Sequence, residues 1–304
     1  MRRHLAPYGS RPLRTCTASP HGSQILFLLP CTHAPMPGYL RTALKSFNAY
    51  YAGYAVEAAE HLRPVRAPSS PEGRFVLFAR GRSGTTLLLS LLSRHPQVAC
   101  DGEILRRRVF RPRALIRRRA QRARSPVYGF KLLSYQLRSL QTHVRRRRFL
   151  EGLVDDGYRL LYLRRRNLLR HALSGLYAEH RRQWHQRSAA ASGSEKMTIR
   201  RRDLFRWLDG SRRLRRFESR LLQGLPHLSL TYEDDLEDPR LHARTLRRAT
   251  EWLGLGAISP DTDLEQTTPR RLEAFVRNAD AVRGWVSRSA YASHLDSADS
   301  LRAA

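Results

Sequence analysis

The chain has 304 residues, enough for one substantial core, and carries 56 basic against 26 acidic residues, a formal net charge of +30. All but three of the basic residues are arginines, and such a surface attracts anionic partners: nucleotides, acidic glycans, nucleic acid or anionic lipid. The three widely spaced cysteines lack a CxxC pair, which argues against a zinc site or a disulfide framework and is typical of a reducing compartment.

Residues 1–73 precede the main domain and divide into two parts. Residues 1–35 are rich in Arg, Pro, Ser, Thr and His without periodicity, which predicts a disordered N-terminal extension. Residues 36–73 are predicted to be a helix, from the apolar spacing over 40–62, followed by a linker rich in Pro and Ser. The apolar stretch ILFLLP is far shorter than the roughly 20 residues that span a bilayer, and no convincing cleavage site follows it. We therefore expect a cytoplasmic protein without a transmembrane segment.

From residue 74 onward, short apolar runs alternate with helical patterns. The predicted strands are 75–79, 127–133, 158–163 and 227–232, with a further short strand near 97–100. The predicted helices are 85–94, 135–152, 167–183 and 239–253. Residues 185–200 are low in apolar content and are predicted to be a mobile loop, and 291–304 a C-terminal tail.

Nearly unbroken apolar strands are typical of parallel sheets that are buried on both faces. Their alternation with helices predicts an α/β domain over residues 74–290. The expected architecture is a P-loop-type three-layer fold, in which a central, mostly parallel sheet is flanked by helices. Ligands of such folds bind at the carboxyl ends of the strands.

The segment between strand 75–79 and helix 85–94 has the composition of a phosphate-binding loop. Its glycines let backbone N–H groups approach an anion, its hydroxyl and arginine side chains add donors, and the helix N-terminus adds partial positive charge. The predicted anion-binding residues are Arg80, Gly81, Arg82, Ser83, Gly84, Thr85 and Thr86. The lysine that ends a nucleoside-triphosphate loop is absent from this segment. The loop alone is compatible with a kinase, an NTPase or another nucleotide-binding protein.

A second polar segment follows strand 158–163. The strand ends in three arginines, and a helical pattern begins at Asn167. Ser174 lies about two helical turns beyond Arg166. An arginine at a strand end and a serine on the following helix can both hold one phosphate.

Together, GRSGTT and RNLLRHALS resemble the two cofactor signatures of the sulfotransferases that use 3′-phosphoadenosine 5′-phosphosulfate (PAPS). The resemblance implies that the first loop holds the 5′-phosphosulfate, and that Arg166 and Ser174 hold the 3′-phosphate. Residues 228–255 and 267–286 resemble later segments of the family, so the similarity covers about 74–286. HPQVACDGEIL and YGFKLL are similar to the bacterial carbohydrate branch, which includes nodulation-factor and trehalose sulfotransferases. The resemblance implies PAPS as sulfuryl donor, no metal, and a hydroxyl of a carbohydrate or glycolipid as acceptor.

Three residues are the predicted catalytic groups. Glu103 follows the helix after the loop, where the chain returns to the ligand edge, and is the predicted general base, as a glutamate is in the trehalose branch. Lys131 is one of only three lysines, and its compact ammonium suits a single leaving oxygen. Arg82 is the other candidate for stabilising the leaving phosphate. The alternatives are a solvated turn carboxylate for Glu103 and a lysine with a buried stem and a hydrated head for Lys131.

Two other functions are compatible with parts of the sequence. The loop suggests a P-loop kinase or NTPase, although no clear magnesium-binding aspartate follows a strand. The net charge suggests a nucleic-acid-binding protein, although the arginines are scattered and are not interleaved with aromatic residues. We therefore expect no specific nucleic-acid partner, while the charge allows peripheral contact with anionic surfaces.

Overall fold

The computed structural model describes residues 52–63, 71–181, 196–260, 262, 268–269 and 271–295. The predicted extension 1–35 lies outside the described residues, as do parts of the segment 36–73, most of the predicted loop 185–200 and most of the predicted tail. None of the described helices is long and apolar enough to span a membrane.

Five parallel strands form one central sheet. They are β1 Gly73–Ala79, β2 Val98–Asp101, β3 Val127–Leu133, β4 Tyr158–Arg164 and β5 His227–Thr231. Their order in the sheet is β2-β3-β1-β4-β5. The chain therefore crosses over between the strands, and helices cover both faces. The predicted fold class, a three-layer α/β fold with a parallel sheet, is confirmed, and each strand begins and ends within about two residues of its predicted position.

Nine helices surround the sheet in the part of the chain that the structure describes. They are α1 (residues 52–62), α2 Thr85–Leu92, α3 Pro112–Arg122, α4 Arg146–Asp155, α5 Leu168–Arg181, α6 Arg201–Leu222, α7 Tyr232–Asp235, α8 His242–Leu253 and α9 Ala279–Ser287. A π-helix covers Gln136–Leu140, and short 3-10 helices cover Pro239–Leu241, Leu272–Ala274 and Ala292–His294.

The prediction of one continuous helix over 135–152 is wrong, because the buried side chain of Gln141 is used elsewhere. The π-helix closes where the Gln141 N–H donates to the Gln136 carbonyl. The Gln141 amide oxygen then accepts from the Val109 N–H at 3.2 Å, and its nitrogen donates to the Arg107 carbonyl at 2.6 Å. These bonds satisfy one backbone donor and one backbone acceptor of the 105–109 segment. Helix α4 begins only at Arg146.

Alternate residues of the strands face two different cores. Val76 and Phe78 of β1 pack with α3, α4 and the end of α6, whereas Phe75 and Leu77 pack with α2 and α8. A third apolar cluster joins α5, the first half of α6, and the segment from Leu272 to Tyr291. This cluster continues past the predicted domain end at residue 290, since Tyr291 is buried within it. The packing holds α5 and α6 beside the carboxyl end of the sheet.

Candidate active site

The GRSGTT loop joins the carboxyl end of β1 to the N-terminus of α2, as predicted. Its backbone has positive φ at Arg82 (64°) and at Gly84 (88°). A Cβ atom on Gly84 would lie 2.6 Å from Cδ2 of Tyr232, so both the conformation and the space require glycine there. The turn leads directly into the N-terminus of α2, and the free N–H groups and partial positive charge of a helix N-terminus suit an anion.

A cavity of about 1160 Å³ lies at the carboxyl edge of the sheet. Six of the seven predicted loop residues line it, namely Arg80, Gly81, Arg82, Gly84, Thr85 and Thr86. Ser83 is fully buried, and its Oγ has no hydrogen-bond partner among the described residues. Lys131, Glu103 and Ser174 also line the cavity, so most of the predicted site residues share one space.

Glu103 and Lys131 are linked to each other and to the loop. The Lys131 ammonium lies 3.1 Å from Oε1 of Glu103 and 3.5 Å from Oγ1 of Thr86. The other Glu103 oxygen, Oε2, accepts from the Gln136 amide at 2.9 Å and from the Tyr135 hydroxyl at 3.2 Å. Burial raises the pKa of the Tyr135 phenol, and the Glu103 carboxylate raises it further, so Tyr135 remains a donor at neutral pH. The Glu103 carboxylate is therefore held in one orientation.

On the other side of the loop, Arg82 contacts Ser174 of α5. The Arg82 Nε–H donates to the Ser174 hydroxyl at 3.1 Å, and the Thr268 hydroxyl donates to the same oxygen at 3.1 Å. Ser174 accepts both bonds, which leaves its own hydrogen to donate. Burial lowers the pKa of Arg82 to about 10, and nearby Arg165 acts in the same direction. The guanidinium is thus charged at neutral pH but only weakly hydrated.

The structure places Arg165, and not Arg166, beside this group. The Arg166 side chain is 57% exposed and bonds Asp234 at 2.5 Å on the surface, whereas the Arg165 side chain is 8% exposed. Arg165 donates to the Arg82 carbonyl at 3.3 Å, lies over the Tyr232 ring at 4.6 Å and lines the cavity. Its Nε is buried and makes no hydrogen bond among the described residues, and it lies 3.8 Å from the Glu233 carboxylate in a long ion pair. Arg165 lines the cavity that contains Ser174, whereas Arg166, the residue predicted to act with Ser174, does not line it.

Arg80 supports the loop from behind. Its fully buried guanidinium donates to the carbonyls of Arg165 (2.8 Å) and Ser211 (3.2 Å), and its Nε lies 3.3 Å from the Glu218 carboxylate. These contacts occupy the charge that the sequence assigned to ligand binding. The side chain of Arg80 accordingly holds the start of the loop in place.

His171 supports the next loop residue. Its Nε2 lies 2.7 Å from the Gly81 carbonyl and its Nδ1 lies 2.7 Å from the Ser211 hydroxyl. Since a carbonyl only accepts, the proton is on Nε2, and Nδ1 accepts from Ser211. Burial is the main cause that holds the pKa of His171 well below its usual value, and Arg80 adds to the effect. The imidazole is neutral and fixes the loop backbone.

A smaller cavity of about 440 Å³ adjoins the first and shares Arg165, Glu237 and Thr268 with it. Sequence reasoning missed Thr268, Tyr135 and Gln136, and no periodic pattern marks them. Arg165 could have been found, because side chains alternate in an extended segment and both Arg164 and Arg166 are exposed. Among the residues that the structure describes, no group of three or more His, Cys, Asp or Glu side chains is arranged to hold a metal ion.

No protein-family model matches the sequence, and no curated protein matches it. Among solved structures, the fold is similar to that of a sulfotransferase from Alicyclobacillus acidocaldarius, with 13% sequence identity and a TM-score of 0.41. The similarity covers 75% of this chain and 93% of that chain. A similarity this distant does not assign a function.

Proposed function

We propose that the protein is a PAPS-dependent sulfotransferase that transfers a sulfuryl group to a hydroxyl of a carbohydrate or glycolipid. The observation that carries the proposal is the chain of contacts from Glu103 through Lys131 to Thr86. It places a carboxylate that can accept a proton within two contacts of an anion-binding loop, with a cation between them. Transfer of an anionic group to a hydroxyl requires these three elements at one place.

The side chains around the loop fit a donor with two separated anionic groups. The loop backbone with Arg82, Thr85 and Thr86 would hold the phosphosulfate. Arg165 and Ser174 would hold the 3′-phosphate. The Arg165 Nε–H, which makes no hydrogen bond among the described residues, and the remaining hydrogen of Ser174 could donate to such a group. Arg166 is assigned no contact with the donor, because its guanidinium is bonded to Asp234 on the surface.

The bound donor supplies the sulfuryl group and, as leaving group, a phosphate oxygen. Glu103 accepts the proton of the acceptor hydroxyl as the new O–S bond forms and the S–O bond to phosphate breaks. Among the described residues its Oε1 has one partner, Lys131, and it therefore retains a lone pair for that proton. Lys131 and Arg82 neutralise the negative charge that develops on the leaving oxygen. The products are a sulfate ester and adenosine 3′,5′-bisphosphate.

A kinase or NTPase is the alternative for a loop of this kind. Thr85 occupies the position of the lysine in a nucleoside-triphosphate loop. The cations in and beside this loop include Arg82, Lys131 and Arg165. Lys131 lies in β3 and Arg165 directly follows β4, and these two strands lie on opposite sides of β1. This arrangement favours a ligand with anionic groups on both sides of the loop.

The predicted cytoplasmic location stays a prediction.

A calorimetric titration tests the proposal. Adenosine 3′,5′-bisphosphate should bind saturably and at least roughly 10-fold more tightly than ATP with magnesium. ATP has no 3′-phosphate, so its complex lacks the charge-assisted contact at that site. Duplex DNA should bind without a saturable stoichiometry, and that binding should weaken steeply as the salt concentration rises. Tighter binding of ATP with magnesium would contradict the proposal and favour the kinase alternative. If the bisphosphate binds as expected, a screen of cell extract with labelled PAPS would identify the acceptor.

A further inference from the structure

The large cavity has two chemically different ends. Because the strand order is β2-β3-β1-β4-β5, residues that follow β2 lie at one end of the ligand edge, and those that follow β4 and β5 lie at the other. Arg165, Ser174 and Tyr232 form the second end, which the proposed function gives to the donor. Thr86, which follows the central strand β1, and Lys131 of the neighbouring strand β3 lie between the two ends, and Lys131 contacts Glu103 where the first end begins. The end beyond Glu103 is therefore left for the acceptor.

Apolar side chains and helix α1 form the wall of this acceptor end. Val56, Ile104 and Val109 line it. Helix α1 is held there by Glu57, whose two carboxylate oxygens accept from the N–H groups of Phe110 (2.5 Å) and Arg111 (2.7 Å). A carboxylate fixed by backbone donors at the start of α3 anchors α1 firmly. The wall thus provides a preformed apolar surface for part of a ligand.

Carboxylates at the acceptor end already have partners. Asp101 accepts from the Tyr128 hydroxyl at 2.9 Å, and Glu103 is paired with Lys131. Arg119, which also lines this end, lies 3.8 Å from Asp101 and 2.7 Å from Glu60 of α1, and Arg122 bonds the other Glu60 oxygen at 2.6 Å. The three carboxylates are thus balanced by Lys131, Arg119 and Arg122, which leaves no excess of negative charge.

Arg106 and Arg107 are different, because neither forms an ion pair with a carboxylate among the described residues. Both are exposed and line the cavity. Arg107 donates to the Ala52 carbonyl at 3.5 Å, and the Arg106 N–H donates to the Glu103 carbonyl at 3.2 Å. The hydrogen bond between Arg106 and Glu103 closes a turn, so Arg106 follows the proposed base by three residues. Two uncompensated cations therefore border an apolar wall, within one turn of the carboxylate that would activate the acceptor.

We propose that the acceptor is an acidic amphiphile. Its hydroxyl would lie at Glu103, its apolar chain along Val56, Ile104 and Val109, and its anionic group at Arg106 and Arg107. This inference rests on the proposed function, and it narrows a carbohydrate or glycolipid acceptor to a glycolipid that carries an acid. The transferred group and the bonds that form and break are the same.

Three compounds separate the contributions of charge and chain: dodecyl β-glucuronide, dodecyl β-glucoside and methyl β-glucuronide. Their binding is measured by calorimetry below micelle-forming concentrations, with and without adenosine 3′,5′-bisphosphate. Dodecyl glucuronide should bind more tightly than dodecyl glucoside by a factor of roughly 10 or more. This factor is the smallest effect expected from one charge-assisted hydrogen bond. It should exceed methyl glucuronide by a factor on the order of 100, because several methylene groups leave water.

The double variant Arg106→Glu/Arg107→Glu should remove the preference for the glucuronide over the glucoside. The matched control is Arg216→Glu/Arg220→Glu, the same change of charge at two exposed arginines of α6, and it should keep the preference. Equal binding of the three compounds, or a preference that survives in the Arg106/Arg107 variant, would overturn the proposal. Circular dichroism melting confirms that each variant is folded.

The bisphosphate titration separates this inference from the proposed function. If the bisphosphate does not bind while the Arg106/Arg107-dependent preference is found, the acidic-amphiphile site stands and the sulfotransferase proposal fails. If the bisphosphate binds and the preference is absent, the acceptor proposal alone fails. The Arg106/Arg107 variant should bind the bisphosphate with unchanged affinity, because both residues lie at the opposite end of the cavity.

Discussion

Arg80 and Glu218 form an ion pair from which solvent is fully excluded, with 3.3 Å between Nε and Oε2 and no exposed side-chain surface on either partner. The same carboxylate accepts from the Ser134 hydroxyl at 2.7 Å and from the Tyr162 hydroxyl at 2.9 Å. Burial raises the pKa of Glu218, while Arg80 acts in the opposite direction. One side chain of α6 therefore joins the carboxyl ends of β1, β3 and β4 next to the start of the GRSGTT loop.

We predict that Glu218→Gln lowers the free energy of unfolding by about 3–5 kcal/mol, because it leaves the buried Arg80 guanidinium without a counter-charge. Chemical denaturation measures this loss. Glu151→Gln is the matched control: Glu151 also pairs with an arginine, Arg147, at 2.6 Å, but both side chains are well exposed. The control should lose less than about 1 kcal/mol. Similar losses in the two variants would contradict the structural role of Glu218.

Arg165 and Arg166 are adjacent in sequence, but we predict different effects on donor binding. Arg165→Ala should weaken the affinity for adenosine 3′,5′-bisphosphate roughly 10-fold or more, the expected loss of a buried charge-assisted contact. Arg166→Ala should change it less than about 3-fold, since an exposed pair with Asp234 contributes little. Calorimetry measures both constants, and thermal melting checks folding. The reverse order would restore the assignment of Arg166 that its spacing from Ser174 predicts.

The sheet was predictable because its strands are short apolar runs buried on both faces, and parallel order follows from the intervening helices. Helix α6 was not predicted, for a physical reason. Its buried stripe runs through Leu204, Leu208, Ser211, Glu218 and Leu221, at helical spacing but with polar members. Those polar members are the residues that hold Arg80 and His171. The helical repeat of apolar residues is interrupted at Ser211 and Glu218, where the helix supports the loop.

The site was predictable only where function depends on local sequence. The loop is contiguous, so its composition sufficed. Glu103 and Lys131 could be proposed separately, but their 3.1 Å contact depends on β2 and β3 being neighbours. The role of Arg80 could not be predicted, because its partner Glu218 lies far along the chain in a helix that the pattern conceals. Long-range pairing decides which arginine of a basic sequence is available to a ligand.

The conformation of the loop leads to a prediction for Gly84. Gly84→Ala should destabilise the protein by about 1–3 kcal/mol, from its positive φ and from a Cβ placed 2.6 Å from the Tyr232 ring. Gly210→Ala in α6 is the control, because its Cβ would meet no atom within 4 Å. The Gly210→Ala variant should have a free energy of unfolding about 0.5–1 kcal/mol higher, because alanine favours the helix more than glycine does. Denaturant unfolding compares them, and a neutral Gly84→Ala would show that the turn is not strained by a side chain.

His171 leads to a prediction for stability at acid pH. Its pKa is held well below the usual value in the folded protein, first by burial. As the pH falls below about 6.5, the unfolded chain takes up a proton that the folded chain does not, so stability falls by up to about 1.4 kcal/mol per pH unit. His171→Gln should be less stable at neutral pH but lose this slope. His180→Gln, at an exposed position of α5, should leave the slope unchanged. An unchanged slope in His171→Gln would mean that other groups cause the acid sensitivity.

The proposed role of Glu103 as general base leads to the last prediction. Glu103→Gln keeps a carbonyl oxygen that accepts from Tyr135 and Gln136 but removes the ability to take a proton. Turnover with the acceptor should fall by roughly 100-fold or more, the usual size of a general-base effect, while the affinity for adenosine 3′,5′-bisphosphate stays nearly unchanged. Glu251→Gln, an exposed glutamate of α8, is the control and should have normal turnover. Single-turnover assays with labelled PAPS separate chemistry from binding. If Glu103→Gln is fully active, the proton is taken by another group, and the contact between Glu103 and Lys131 serves only to orient the lysine toward the loop.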